Sequence, residues 1–166
     1  MTTTDDAGPA IHLPERTGSL HDFDFLAGSW TVQNRTSKGT PDGSWIEFPA
    51  IDRVTLHLGG VMNVHECHFP TRDYSAVTIR IFDVAKRQWS IYWIEQRTGV
   101  LLPPMRGGFE GDRGEFYGED DYAGKRYLCR FVWTRLDPDH ARWEQSYSTD
   151  GQDWEVNWVM EFTRKN

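Results

Sequence analysis

The sequence has few cysteines, no excess of basic residues and no long apolar run. Only 2 of its 166 residues are cysteine, so we expect two free thiols and no disulfide framework. Lysine and arginine total 18 against 25 acidic residues, and this balance argues against a nucleic-acid partner. No apolar run reaches the roughly 20 residues of a membrane-spanning helix. The start of the chain also lacks the features of a signal peptide, so we expect a cytoplasmic protein with no membrane partner.

Aromatic residues, by contrast, are abundant. Eight Trp, nine Phe and six Tyr make up 14% of the chain. Such residues favour the pleated, half-buried surfaces of β-sheets, and they also line small-molecule sites. The length fits one domain with a sizeable core.

Alternating polar and apolar residues predict an all-β protein. Residues 1–20 are polar and read as a flexible tail, followed by one barrel domain over residues 21–166. The first residues of that domain predict a short helix that ends at Gly28, with Phe23 and Leu26 on one side as a plug. About ten short strands follow, separated by turns. We predict a single antiparallel up-and-down barrel, because closure removes exposed sheet edges, and keep a sandwich as the alternative.

The turn before the first strand carries a distinctive motif. Gly28-Ser29-Trp30, directly after Phe25-Leu26-Ala27, resembles the opening of lipocalins and other calycins. Together with the segments 88–93, 141–145 and 157–162, it is similar to a bacterial family of calycin-like barrels of unknown function. The resemblance covers residues 22–164 and implies a fold but no activity.

Nitrobindin, a haem-binding barrel of ten strands, is a more distant resemblance. It ligates haem through a histidine near its C-terminus. Here the last histidine is His140, in a predicted turn. We therefore expect neither haem nor any other cofactor.

Alternation also divides each strand into two faces. We predict that the apolar face points inward. The residues expected to face inward are Val77, Ile79, Ile81, Trp89, Ile91, Trp93, Tyr127, Cys129, Phe131, Trp133, Trp143, Gln145, Tyr147, Trp154, Val156, Trp158, Met160 and Phe162. Those expected to face outward are Arg80, Arg130, Arg142, Glu144, Glu155 and Glu161.

A barrel of this strand number is wide enough to hold a ligand. Inward aromatic residues with a few polar ones among them are typical of a small-molecule site, although the same aromatics could simply form the core. The candidate ligand-binding residues are Trp30, Asn63, His65, Trp89, Trp93, Glu95, Trp133, Trp143, Gln145, Tyr147 and Trp158.

The run His65-Glu66-Cys67-His68 contains four metal-ligand residue types. On a strand, His65 and Cys67 share one face and Glu66 and His68 the other, so each face offers two ligands where a tetrahedral site needs three or four. His57 could add one across the Gly59-Gly60 hairpin. We do not expect a metal, and the register of residues 61–69 stays open.

The function that these features favour is binding of a small apolar or aromatic molecule. The alternative is a barrel enzyme (isomerase, cyclase or lyase) with Glu95 or His65 as acid–base group and Gln145 and Asn63 orienting the substrate. Glu95 could instead pair with Arg97 at the rim. A third hypothesis is an interaction module with a fully packed barrel. A homodimer is a candidate assembly.

Overall fold

The computed structural model describes residues 11–166 and contains ten antiparallel strands closed into one barrel. The strands are β1 (Gly28–Thr36), β2 (Ile46–His57), β3 (Met62–Phe69), β4 (Tyr74–Asp83), β5 (Gln88–Glu95), β6 (Met105–Glu110), β7 (Arg113–Tyr122), β8 (Lys125–Asp137), β9 (His140–Ser148) and β10 (Glu155–Arg164). Each strand pairs with the next, and β1 also pairs with β10. The predicted all-β, up-and-down barrel is confirmed.

Helical structure in the described residues is limited to two short 3-10 turns, Asp24–Leu26 and Leu58–Gly60. The predicted N-terminal helix is therefore wrong in kind. The Ala27 N–H already bonds to Asp24 O at 3.1 Å, and β1 begins at the next residue. The hydrogen bonds of this turn join residues three apart, which makes it a 3-10 turn and not an α-helical one. No helix within residues 11–166 is long and apolar enough to cross a bilayer.

The turn Asp24–Leu26 covers one end of the barrel, called here the closed end. Phe23 and Leu26 are fully buried. The Phe23 ring contacts Trp89 edge-on at 5.0 Å and stacks on Phe116 at 5.5 Å between centroids. Trp30 is also fully buried and donates its indole N–H to Leu26 O at 2.8 Å. This end of the barrel is filled with aromatic side chains.

The segment before the turn lies against the same end. Gly18 N–H donates to Arg87 O at 2.8 Å, and the Trp89 indole donates to Ser19 O at 3.0 Å. Residues 1–10 lie outside the described part of the chain. The division of the chain into tail and domain stays a prediction.

The predicted faces need correction on β4. Val77, Ile79 and Ile81 lie on the outer face, whereas Thr78 and Arg80 are buried. The pairing with β5 explains the difference, because Arg80 lies opposite Ile91 and residues directly opposite in an antiparallel pair share a face. Both faces of β4 are rich in apolar residues, so alternation alone could not separate them.

A bulge on β10 causes a second correction. Val156 pairs with Ser146 but Trp158 pairs with Gln145, so one extra residue shifts the faces. As a result Trp154, expected inside, packs against Arg130, 4.7 Å from ring centroid to guanidinium carbon. Arg130 follows the buried Cys129 and belongs to the outer face of β8.

We expect the Phe23→Ala variant to lose about 3–5 kcal/mol of unfolding free energy, because it removes a fully buried ring and leaves a cavity among other rings. Urea denaturation followed by far-UV circular dichroism measures the loss. Leu136→Ala, at a side chain that is 60% exposed, is the control and should change the value by less than about 0.5 kcal/mol. Equal losses in the two variants would show that Phe23 does not hold the closed end.

Candidate functional site

The other half of the barrel encloses a cavity of about 510 Å³. Its inner end lies at Arg80 and Trp133, above the aromatic closed end. Its mouth lies between Lys38 on the β1–β2 loop, Asp120 on β7 and the loop residues Leu102 to Pro104. The barrel is therefore not fully packed, and the volume falls within the range of small-molecule sites.

Six of the predicted site residues line this cavity: His65, Trp93, Trp133, Trp143, Gln145 and Trp158. Two of them are held by side-chain amides. Gln145 donates to Asn157 Oδ1 at 2.9 Å, and the Trp158 indole donates to Asn34 Oδ1 at 3.0 Å. These bonds fix the polar atoms of the wall and leave the aromatic surfaces to face the cavity.

The five others lie elsewhere. Trp30 and Trp89 belong to the filled closed end. Glu95 accepts two hydrogen bonds from Arg97, at 3.2 and 3.1 Å, at the rim. Tyr147 donates to the carboxylate of Asp120 beside the mouth. Asn63, fully buried, serves as a partner of a buried arginine.

That arginine, Arg80, is part of a polar network inside the barrel, called here the inner network. His65 Nε2 lies 2.7 Å from Asp52 Oδ2, and Arg80 Nη2 lies 3.0 Å from His65 Nδ1. Arg80 Nη1 donates to Asn63 Oδ1 at 3.0 Å. All four residues are at most 2% exposed. The network thus places an acid, an imidazole and a guanidinium in series away from water.

The donors in the inner network determine the tautomer of His65. A guanidinium can only donate, so His65 Nδ1 must accept from Arg80. The imidazole proton therefore resides on Nε2 and is donated to Asp52. The neutral imidazole thus bridges a buried carboxylate and a buried cation, with one hydrogen bond at each of its two nitrogens.

Burial sets the ionisation of the inner network. Burial lowers the pKa of His65, an effect that Asp52 opposes and Arg80 reinforces. Burial also lowers the pKa of Arg80 to about 10, which leaves the guanidinium charged at neutral pH. Its charge is further supported by the rings of Phe23 and Trp133, whose centroids lie 4.9 and 5.2 Å from the guanidinium carbon.

Arg80 and Asp52 were not among the sequence candidates, and Arg80 was expected outside. A usable signal existed in the hairpin between β4 and β5. Asp83 pairs with Gln88 across a loop of residues 84–87, and this register puts Arg80 on the face of Trp89 and Ile91. Asp52 likewise shares its face with the buried Ala50 and Val54.

Asp52, His65 and Cys67 bring three metal-ligand atoms within 4.8 Å of one another. The hydrogen bonds do not favour a metal here, since the proton on His65 Nε2 occupies the lone-pair position that a metal would need. Burial also raises the pKa of the Cys67 thiol well above its usual range, so the thiolate is disfavoured. A haem does not fit His140, which is exposed and bonded to Asp137 at 2.9 Å.

The mouth has a different character. Lys38 Nζ lies 3.0 Å from Asp120 Oδ2 and 5.3 Å from the ring centroid of Tyr147. Arg126 pairs with Asp121 and Glu119, each at 3.0 Å. Positive and negative charges alternate there, so the mouth does not select strongly for one sign.

The comparisons with known proteins support the fold. The solved structure of Rv2717c from M. tuberculosis is similar to this chain, with a TM-score of 0.59 over 92% of this chain and 100% of that chain. The two sequences are 14% identical, so the likeness shows a shared barrel fold and nothing about ligands. No protein-family model matches the chain, and no curated protein matches it.

Removing one member of the inner network should be costly. Arg80→Met leaves Asp52 buried without its cation, and Asp52→Asn leaves Arg80 without its anion, so each should lose about 3–5 kcal/mol of unfolding free energy. The double variant should lose less than the sum, because the two charges are coupled. Urea denaturation measures the unfolding free energy of the two single variants and the double variant.

The control is Glu161→Gln, which breaks an exposed ion pair with Arg142 and should lower the unfolding free energy by less than about 1 kcal/mol. Additive losses would refute the coupling.

The ionisation of His65 predicts a pH dependence of stability. Its pKa is lowered on folding from the ordinary 6.5, so the unfolded chain binds a proton that the folded chain resists. The stabilising contribution is therefore present above about pH 6.5 and is lost as the pH falls toward the folded-state pKa.

Between about pH 7.5 and 5.5, His65 should make the unfolding free energy fall with decreasing pH, by at most about 1.4 kcal/mol per unit. His65→Gln should show a shallower fall, while His57→Gln, at an exposed histidine, should match the wild type. Urea denaturation at a series of pH values measures the slopes. A slope for His65→Gln as steep as that of the wild type would contradict the assignment.

Proposed function

We propose that this protein binds a small, largely apolar or aromatic molecule inside its barrel. The observation that supports this most directly is the cavity of about 510 Å³. Its walls include Trp93, Phe131, Trp143, Trp158 and Met160. A few polar groups converge among these apolar surfaces, which is the usual arrangement of a small-molecule site.

We further propose that the barrel is calycin-like. The geometry that supports this is the short turn that leads into β1 and the buried Trp30 directly after it. Calycin-like barrels carry their ligands inside, so the assignment agrees with the position of the cavity. The similarity to a solved barrel at 14% identity adds support for the architecture only.

Binding is favoured over the enzyme alternative by the state of its two acid–base candidates. Both nitrogens of His65 are hydrogen-bonded, to Asp52 and Arg80. Glu95 is bonded at the rim to Arg97. A proton transfer to a substrate would require either residue to break these bonds first. Binding of an apolar molecule requires the cavity, its walls and its mouth, and does not require these bonds to break.

A blocking substitution tests the proposal. Ile91 is buried and lines the cavity, so Ile91→Trp should fill part of it and weaken binding of an apolar molecule about tenfold or more. N-phenyl-1-naphthylamine, an uncharged fluorophore that brightens in apolar surroundings, is the probe. Its fluorescence titration gives the affinity.

Ile94→Trp is the matched control. Ile94 lies on β5 like Ile91, but on the outer face, where it pairs with the outward Val77 of β4. This variant should therefore bind the probe as the wild type does. Circular dichroism checks that both variants are folded. Equal probe affinity in the wild type and in folded Ile91→Trp, or no binding to the wild type at all, would count against a site in the cavity.

A further inference from the structure

The inner end of the cavity contains a charged group that an apolar ligand alone would not use. Arg80 is 2% exposed, and its side chain lines the cavity. The guanidinium has five N–H donors, of which one goes to Asn63 and one to His65. Its Nε–H has no hydrogen-bond partner within residues 11–166. A buried cation with unused donors is unusual, since such groups are normally satisfied.

The charge of Arg80 is balanced from one side only. Asp52 lies behind the imidazole of His65 and is not among the described residues that line the cavity. His65 is neutral, and burial keeps the Cys67 thiol neutral as well. The acidic residues Asp120 and Asp121 line the mouth, at the other end of the cavity. The inner end therefore presents the cationic member of a buried ion pair to whatever enters, while its anionic member lies behind His65.

Neighbouring rings hold the guanidinium in place. Phe23 lies on the side of the closed end and Trp133 on the cavity wall, with centroids 4.9 and 5.2 Å from the guanidinium carbon. The hydrogen bonds to Asn63 and His65 add two further anchors. A donor group positioned in this way pays little entropy when an acceptor arrives.

We propose that the ligand of this barrel is an aromatic monocarboxylate whose carboxylate binds Arg80 and whose ring system lies between the tryptophans of the cavity. The inference rests on the proposed binding function and names the class of ligand. A carboxylate suits the planar fork of a guanidinium, with two oxygens accepting from adjacent N–H groups. A monocarboxylate adds one negative charge to a network in which Asp52 already balances Arg80, whereas a dianionic phosphate would bury a second one.

The walls account for the aromatic part. Trp143 and Trp158 meet edge to face at 6.0 Å, and Phe131 meets Trp143 at 4.9 Å. Flat rings in this arrangement favour a flat partner that can contact their faces and edges. An acid with a fused or substituted aromatic ring combines such a body with the required anionic end.

A matched pair of probes tests the proposal: 2-naphthylacetate and 2-naphthylacetamide, which differ in charge but hardly in shape. Isothermal titration calorimetry at neutral pH measures both affinities. The carboxylate should bind the wild type about tenfold or more tightly than the amide, because a hydrogen bond between two charged groups replaces a weaker one.

Two variants locate the preference. The double variant Asp52→Asn/Arg80→Met removes both charges of the inner network, so the fold is not left with a buried unpaired ion. In this variant the preference for the carboxylate should vanish. Arg35→Met removes a guanidinium from the exposed outer face of β1 and should keep the preference. Circular dichroism and binding of N-phenyl-1-naphthylamine report whether the cavity is intact in each variant.

The outcomes separate the two proposals. If the uncharged fluorophore binds the wild type but the two naphthyl probes bind it equally well, the anionic subsite is refuted and the binding function stands. The subsite is also refuted if the double variant keeps the preference for the carboxylate. If none of the three probes binds the wild type, the proposed function fails and the subsite with it. A preference that is present in the wild type and Arg35→Met and lost in the double variant supports the subsite.

Discussion

A buried carboxylate, imidazole and guanidinium in series constrain this barrel more than any other contact. Asp52, His65 and Arg80 occupy diagonal positions on β2, β3 and β4, two residues apart from direct opposition. Charges of this kind are tolerated inside a protein only when each is paired and hydrogen-bonded. A slip of one residue in either pairing would turn one partner outward and leave the other unpaired. The network therefore specifies the register of three strands together.

The same arginine divides the barrel into two halves. On its one side lies the ring of Phe23, which belongs to the aromatic filling of the closed end. On its other side begins the cavity. A guanidinium can serve both neighbours because its faces accept aromatic rings while its edges donate hydrogen bonds. The half filled with aromatic side chains stabilises the fold. Arg80, at the boundary of that half, also forms the inner end of the cavity.

The architecture was readable from the sequence because it depends on repeated patterns. Alternation and turn residues predicted about ten strands and a closed barrel, and the faces predicted to point inward on β5, β8 and β9 contain seven residues of the cavity wall. The inner network was not readable in this way. On β4 both faces are apolar enough to be the core, so a lone arginine there looked like a surface residue. Only the partners of Arg80 on β3, which are distant in sequence, make its burial tolerable.

This coupling explains why a polar group persists at the floor of an otherwise apolar cavity. An apolar residue at position 80 would leave Asn63 Oδ1 and His65 Nδ1 buried without their donor and Asp52 without its counter-charge. A single change that makes the cavity more apolar is therefore destabilising. The charge is thus retained for reasons of folding. Once retained, it is available to any ligand that can reach it, and a ligand that accepts its unused donors stabilises the folded state by mass action. Stability and ligand choice in this barrel depend on the same guanidinium.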